Sequence, residues 1–197
     1  MSFNNKIWKM DLRDAWFNSN RHSILNSLIK LQFKDHFKAH LTGAKGVGKS
    51  TLIAILAERI GESIVNMTYH SEFKEIPPSS YLIIDEAQML SEDERQRIIA
   101  ENPKILMVSV KDLTEDGYDF VYRIEDLTTE EVKSYILKYD LCSFDERAKE
   151  EIAKASHGRP RLINLLCSTA LDNYETTGKI TKETIEHIAK KKFKLRY

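Results

Sequence analysis

The chain has 197 residues with 42% hydrophobic content, which is enough for one core domain with a small appendage. No stretch approaches the roughly 18–20 uninterrupted apolar residues of a membrane span, and residues 1–14 lack the apolar core of a signal peptide, so we expect a cytoplasmic protein with no membrane partner. The two cysteines, Cys142 and Cys167, form no CxxC pair, which argues against a thiolate metal site or a redox motif.

The net charge is zero, but basic and acidic residues are unevenly distributed. Residues 1–50 carry an excess of six positive charges and residues 151–197 an excess of five, whereas residues 51–150 carry an excess of eleven negative charges. Two interpretations stay open: the basic N-terminal and C-terminal segments bind DNA, or they pair with the acidic middle within the fold. The tail at 190–197, with five basic and two aromatic residues, fits DNA binding and a solvated terminus equally well.

Strands and helices alternate through the first two thirds of the chain. Apolar residues at helical spacing predict an amphipathic helix over 21–36. Apolar and β-branched runs predict strands, and the segments between them predict helices. The predicted strands cover 37–43, 63–69, 81–84, 105–110 and 120–124, and the predicted intervening helices cover 50–60 and 91–101. This alternation is typical of an α/β fold whose parallel sheet is flanked by helices.

From Thr128 onward the pattern is purely helical. Thr128 and Thr129, followed by two glutamates, predict a capped helix that runs through residue 139. Pro160 suits the first turn of a later helix because proline needs no backbone donor there. The other predicted helices start at Ser143 or Asp145 and end near 158, continue from Pro160 to 174, and cover 181–192. We therefore expect an α/β domain over 1–127, which includes the N-terminal helix, and a small helical domain over 128–197.

A glycine-rich turn connects the first predicted strand to the next helix. It matches the pattern GxxxxGK[ST] in full, through Gly43, Ala44, Lys45, Gly46, Val47, Gly48, Lys49 and Ser50. In such a loop, backbone N–H groups and the helix N-terminus bind phosphates, so we expect these residues and Thr51 to bind ATP. Lys49 should bridge the β- and γ-phosphates, and the Ser50 hydroxyl should ligate Mg²⁺. The first domain is thus predicted to bind nucleotide.

Two acids follow the apolar run at 81–84. Asp85 and Glu86 lie at the carboxyl end of a predicted buried strand, which is where ligands bind in open α/β sheets. Their position 36 residues after Lys49 fits a P-loop protein. Asp85 would hold the Mg²⁺ shell, and Glu86 would orient and deprotonate the attacking water. The sequence therefore predicts an ATP hydrolase.

The helical domain contains the segment Gly158, Arg159, Pro160 and Arg161 before an apolar helix. Arg161 would project from the first turn of that helix, where a positive charge opposes the helix dipole. This unfavourable position favours a functional role, in which the guanidinium reaches the γ-phosphate and distinguishes ATP from ADP. A surface arginine paired with a carboxylate is the alternative.

Together these segments resemble the AAA+ ATPases related to ExeA, the general secretion pathway ATPase, and to the TniB and MuB transposition ATPases. The residues that carry the resemblance are GAKGVGKS at 43–50, LIIDEAQ at 82–88 and GRPRLINLLC at 158–167, within a likeness over most of 15–190. It implies a P-loop AAA+ core with a helical lid over 128–197. It also implies that Arg161 is the sensor arginine of the lid, and that Asp85 and Glu86 are the metal-binding and water-activating acids.

Two features depart from the pattern of that family. Ser109 and Lys111 are the candidates for the sensor residue after the fourth strand. No arginine directly precedes the fifth strand, where the family presents a finger to a neighbouring nucleotide. Arg123 lies within that strand, and Arg95 and Arg97 lie on the preceding helix. Without a finger we expect slow hydrolysis, because such an arginine contributes roughly 10³–10⁵ in rate.

The expected function is that of an ATP-driven switch. It would bind ATP and ADP and act on nucleoprotein complexes, as a helicase loader or regulator in DNA replication or as a transposition ATPase. A protein partner or self-association is expected in the ATP state. Two alternatives stay open: a secretion or envelope-assembly ATPase of the ExeA type, and a P-loop kinase acting on a small molecule.

Overall fold

The computed structural model describes residues 19–61, 65–69, 81–138, 143–172 and 180–193. The basic segments at 1–18 and 194–197, on which the DNA-binding interpretation partly depends, lie outside the described residues. The chain divides into two compact units, and the division falls between Glu125 and Asp126. Each unit is described separately below.

The first unit alternates strands and helices as predicted. Its elements are α1 (Ser19–Leu31), β1 (Phe37–Gly43), α2 (Lys49–Ile60), β2 (Val65–Tyr69), β3 (Tyr81–Asp85), α3 (Glu92–Glu101), β4 (Lys104–Ser109) and β5 (Phe120–Ile124), with short 3₁₀ helices at Ala87–Met89 and Thr114–Asp116. The prediction for 63–64 falls outside the described residues. All five predicted strands are present, and the α/β class is confirmed.

The first helix is shorter than predicted. It ends at Leu31, whereas the apolar spacing predicted a helix to residue 36. The backbone N–H groups of Gln32, Phe33 and Lys34 each bond to a carbonyl three residues earlier, so the last turn tightens and the helix ends. Phe33, which lies beyond the end of this helix, is 81% exposed and so is not part of its buried face.

The strands form one parallel sheet in the order β2-β3-β4-β1-β5. Because parallel strands end at the same edge, the residues that follow β1, β3 and β4 come together there. All five residues of β3 are buried, as expected for a strand covered on both faces. In β1 only Lys38 is exposed. The predicted phosphate loop and the two acids therefore leave the sheet at one edge.

One hydrophobic cluster packs α3 against the sheet. Its buried members are Leu82, Ile84, Ala87, Leu90, Ile98, Ile99, Ile105, Met107 and Leu113. A capping box begins α3: the Glu94 N–H donates to the Ser91 hydroxyl (3.3 Å), and the Ser91 N–H donates to the Glu94 carboxylate (2.8 Å). This cap fixes the start of α3 shortly after Glu86 and the 3₁₀ helix at Ala87–Met89.

The second unit is helical, with α4 (Thr129–Lys138), α5 (Glu146–Ser156), α6 (Pro160–Asp172) and α7 (Lys182–Phe193). Thr128 caps α4 through the Glu131 N–H (3.3 Å), and Asp145 rather than Ser143 caps α5 through the Ala148 N–H (2.7 Å). Helix α5 packs against the other three. The helix ends predicted at 139 and 174 lie outside the described residues.

Of the two cysteines, Cys167 is a buried free thiol, and Cys142 lies outside the described residues. Burial raises the pKa of Cys167 to about 12, so this thiol is neutral at ordinary pH. Among the described residues, no helix combines the length and apolar character needed to cross a membrane.

Candidate functional site

The loop from Gly43 to Gly48 follows β1 and closes tightly on its neighbours. Gly43 has φ +156°, and a Cβ there would lie 2.8 Å from the Ile124 carbonyl oxygen and 3.1 Å from Val47 Cγ1. Only glycine fits this close approach. Gly48 has φ +104° and directly precedes α2, so the loop leads into a helix N-terminus. Free N–H groups at such a terminus attract anions.

Lys49 begins α2 and folds back over the loop. Its ammonium donates to the carbonyl oxygens of Gly43 (2.8 Å) and Ala44 (3.2 Å), and its side chain is buried. Burial lowers the pKa of Lys49, while the nearby carboxylates of Glu86 and Asp85 act in the opposite direction. A cation is thus held against the loop, beside the two acids.

Ser50 and Asp85 meet although 35 residues separate them in the sequence. The Ser50 hydroxyl donates to Asp85 Oδ2 at 2.7 Å, and the Glu86 N–H donates to Asp85 Oδ1 at 2.9 Å. Asp85 is 3% exposed, and both of its oxygens are oriented by these bonds. Hydroxyl and carboxylate oxygens are the ligand types that Mg²⁺ prefers, so the donor set fits a magnesium ion that would also be bound by phosphate oxygens.

Glu86 has a strained backbone. Its φ of 56° and ψ of 35° lie in the left-handed region, which costs a residue with a side chain about 1–2 kcal/mol. The Gln88 side-chain amide donates to the Glu86 carboxylate, and Gln88 Oε1 accepts from the Val110 N–H at 3.2 Å. Gln88 thus links Glu86 to the residue that follows β4. Such strain is concentrated at functional sites.

The remaining predicted loop residues are partly open to solvent. Ala44, Gly46 and Gly48 are half-buried, whereas Lys45, Ser50 and Thr51 are exposed. Val47 is buried. Of the two sensor candidates, Ser109 is 1% exposed and Lys111 is exposed.

Sequence reasoning missed Arg21, which is fully buried in α1. Its guanidinium donates to the carbonyl oxygens of Val47 (3.2 Å) and Glu125 (3.0 Å), so α1 fixes the phosphate loop relative to the end of β5. A signal was present: Arg21 lies three to four residues before Ile24 and Leu25, on the same predicted buried stripe.

The three arginines considered as fingers have different surroundings. Arg95 forms a two-pronged ion pair with Asp116, at 2.6 Å and 3.1 Å, and also donates to the Leu90 carbonyl at 2.8 Å. It is therefore committed to the fold. Arg97 and Arg123 are exposed.

In the helical unit, Arg161 is exposed on the first turn of α6. The turn before it is attached to the start of the unit: the Leu127 N–H donates to the Gly158 carbonyl at 2.9 Å, and Arg159 lies 3.6 Å from the Asp126 carboxylate. Arg161 therefore projects from a segment that is bonded to the residues directly after the first unit.

No protein-family model and no curated protein matches the sequence. Solved structures of Thermotoga maritima RuvB are similar to this chain at low identity. One, of a threonine-to-valine variant, has a TM-score of 0.65 at 18% identity, and the match covers 87% of this chain and 68% of the RuvB chain. The RuvB described as a Holliday junction branch migration motor gives 0.61 at 17% with the same coverage. A lysine-to-arginine variant gives 0.62 at 16%, covering 94% of this chain and 70% of its own.

Similarity at this identity shows the fold. The chain has the P-loop AAA+ fold, which confirms the predicted class. The narrower resemblance to the ExeA, TniB and MuB group stays a prediction, because these similar structures are of RuvB.

Proposed function

We propose that the chain binds Mg-ATP at the loop formed by residues 43–50 and hydrolyses it. The observation that carries the proposal is the 2.7 Å bond between the Ser50 hydroxyl and Asp85, beside the loop-bound ammonium of Lys49. The loop motif alone does not establish that Asp85, 35 residues further along the chain, lies beside Ser50. On binding, Lys49 would exchange its loop carbonyls for phosphate oxygens, which are stronger, charged acceptors.

The acids have separate roles in this proposal. Ser50 and Asp85 would hold the magnesium ion, whose charge supports phosphoryl transfer. Glu86, exposed next to Asp85, would orient and deprotonate water. Gln88 holds the Glu86 carboxylate and would have to release it for that step.

Arg161 is the proposed sensor of the bound nucleotide in the helical unit. Its exposed guanidinium is available to a phosphate, and its turn is bonded to Asp126 and Leu127. If Arg161 bound the γ-phosphate, the contact would therefore be transmitted to Asp126 and Leu127, which directly follow the first unit. Exchange of ATP for ADP would then change the conformation of the protein.

Hydrolysis is expected to be slow. The sequence has no arginine between Arg97 and Arg123, and Arg95 is held by Asp116. Without a finger, turnover would be lower by roughly 10³–10⁵. Slow turnover suits a switch whose ATP state lasts long enough to hold a partner.

We further propose that the switch acts on nucleoprotein complexes, in DNA replication or transposition. The unequal charge distribution supports this, with basic ends around an acidic middle. One structural neighbour is a Holliday junction branch migration motor, which adds a nucleic-acid context at the level of the fold.

Phosphate release from ATP tests the enzymatic part. The wild-type chain should release phosphate slowly, and Glu86→Gln should bind ATP without turnover. Glu101→Gln is the matched control. Glu101 is an exposed acid at the end of α3, just before the amino end of β4, whereas Glu86 follows the carboxyl end of β3. Normal hydrolysis by Glu86→Gln would show that Glu86 is not the general base that activates water.

Binding to DNA tests the partner. In the Glu86→Gln protein with ATP, affinity for duplex DNA should fall steeply as salt rises, because each phosphate contact releases counterions. A flat salt titration would contradict direct DNA binding.

A further inference from the structure

One nitrogen atom of Arg21 contacts two separate parts of the first unit. Its Nη2 donates to the carbonyl oxygen of Val47, inside the phosphate loop, at 3.2 Å, and to the carbonyl oxygen of Glu125, directly after β5, at 3.0 Å. Hydrogen bonds from a charged donor are stronger than those between neutral groups. The guanidinium therefore fixes the position of the Val47 carbonyl group.

The surroundings of Arg21 hold it firmly in place. Arg21 is fully buried, and it lies one turn before Leu25, which is also fully buried in α1. Its second acceptor, Glu125, follows β5, and the last residue of β5, Ile124, pairs in register with Gly43. The start of the phosphate loop is thus held directly by the carboxyl end of β5, and the far part of the loop is held to it through the arginine.

The bond to Val47 sets the orientation of the peptide that joins Val47 to Gly48. This peptide is trans, so the Val47 carbonyl and the Gly48 N–H point in opposite directions. Because Arg21 holds the carbonyl, the N–H must point away from the arginine. The N–H groups of such a loop are the donors that bind phosphate. Arg21 therefore decides on which side of the loop one of these donors lies.

Glycine at position 48 makes the opposite orientation accessible. Rotating the peptide changes ψ of Val47 and φ of Gly48, and glycine adopts φ of either sign at little cost. The rotated peptide would present a carbonyl oxygen to the phosphate in place of the N–H, which would replace attraction with repulsion. Gly48 has φ +104° in the structure, and the bond from Arg21 stabilises this orientation against the rotated one.

The neighbouring residue Asn20 contacts the same end of β5 but not the loop. Its Nδ2 donates to the Arg123 carbonyl, and its Oδ1 accepts from the Glu125 N–H, both at 3.4 Å. Within the part of the chain that the structure describes, neither bond reaches the phosphate loop. Asn20 and Arg21 thus both hold Glu125, whereas the bond to Val47 belongs to Arg21. This difference provides a matched control.

We propose that Arg21 is a positioning residue for nucleotide binding, which turns the Gly48 N–H toward the β-phosphate by holding the Val47 carbonyl. The inference rests on the proposed ATP binding at residues 43–50. Because ATP and ADP both carry a β-phosphate, Arg21 supports the binding of both nucleotides. In this it differs from Arg161, whose proposed contact is with the γ-phosphate.

Calorimetric titration with Mg-ATP and Mg-ADP tests the effect on affinity, with every protein carrying Glu86→Gln to prevent turnover. Arg21→Met keeps much of the length of the side chain and removes its donors. We expect it to weaken the binding of both nucleotides about tenfold, the loss that corresponds to one hydrogen bond to a charged group. Asn20→Ala, the control, should change both affinities by less than about twofold. If Arg21→Met does not fold, Arg21→Gln, whose amide nitrogen ends two bonds short of Nη2, should give the same results.

A spectroscopic measurement separates positioning from a merely structural role. Val47–Gly48 is the only valine–glycine pair in the sequence, so ¹³C-carbonyl valine combined with ¹⁵N-glycine labels this single peptide for NMR. At saturating Mg-ADP, the Gly48 amide proton should shift downfield in the parent protein and in Asn20→Ala, because it donates to phosphate. In Arg21→Met the shift should be largely lost even at saturation. An arginine that only stabilised the fold would leave the saturated signal unchanged.

Three results would overturn the inference in distinguishable ways. If Arg21→Met keeps the parent affinities while Lys49→Ala loses both nucleotides, Arg21 does not position the loop and the proposed function stands. If Arg21→Met weakens binding but keeps the Gly48 shift at saturation, or if Asn20→Ala loses as much affinity, Arg21 acts through the fold and not through Val47. If the parent protein binds neither nucleotide, the proposed function fails and the inference fails with it.

Discussion

Replacing Gly158 with alanine should destabilise the helical unit strongly. Gly158 has φ +68°, and an added Cβ would collide with the Leu127 carbonyl oxygen and lie 2.8 Å from its nitrogen and 2.9 Å from its carbonyl carbon. All three are backbone atoms, so no side-chain rotation relieves the contact. The same residues are joined by the bond from the Leu127 N–H to the Gly158 carbonyl.

The expected loss has two parts. A left-handed backbone costs alanine about 1–2 kcal/mol relative to glycine. Moving a packed backbone to admit the methyl group costs about 1–3 kcal/mol more. Gly158→Ala should therefore lower the free energy of unfolding by about 3 kcal/mol.

Gly117→Ala is the matched control. Gly117 has a similar φ of +78°, but a Cβ there meets nothing within 4 Å. It should cost only the backbone part, about 1 kcal/mol. Urea denaturation followed by circular dichroism, with hydrogen exchange to assign each transition to a unit, measures both variants. Equal losses for the two alanines would refute the close approach of Gly158 to Leu127.

Three further predictions concern other parts of the molecule. Glu86→Gly should raise the free energy of unfolding by roughly 0.5 kcal/mol because it removes left-handed strain, while phosphate release is lost; a lower melting temperature than wild type would contradict this. Arg95→Ala should cost about 3 kcal/mol, because it leaves the buried Asp116 carboxylate without its cation; urea denaturation measures it, and a loss below about 1 kcal/mol would count against the ion pair. Burial lowers the pKa of His40 below 6.5 in the folded protein, so the unfolded chain binds more protons below that pH. The contribution of the neutral ring to the free energy of unfolding is therefore fully present above pH 6.5 and declines as the pH falls. Wild type should thus lose up to about 1.4 kcal/mol per pH unit relative to His40→Gln in denaturation curves between about pH 6.5 and 5, and parallel curves would contradict it.

Local chemistry made much of the fold predictable. The apolar run before Asp85 specified a buried strand, and Thr128, three residues before a glutamate, marked the start of α4. These signals depend on residues close in sequence, so they can be read without the structure. The phosphate loop is of this kind, because its conformation is set by its own glycines.

Contacts between distant residues were not predictable in this way. His40 lies in a strand that is buried almost throughout, so nothing in its neighbourhood indicated that Ser109 would lie opposite its Nε2 atom. Arg95 is held in an ion pair by Asp116, which follows it by 21 residues and lies beside it only in the folded chain. That Ser109 is buried and Lys111 exposed likewise depended on the fold, because short polar segments do not reveal burial.

The proposed site requires the Ser50–Asp85 pair to hold magnesium for a triphosphate that Lys49 binds. Calorimetric titration of the Glu86→Gln protein with ATP, in magnesium and in EDTA, tests it most directly. We expect magnesium to tighten ATP binding by about tenfold or more and Asp85→Asn to abolish that gain, with Lys49→Ala weakening binding in both conditions. Equal ATP affinity in magnesium and in EDTA, or an undiminished magnesium effect in Asp85→Asn, would show that this pair does not hold magnesium for the nucleotide.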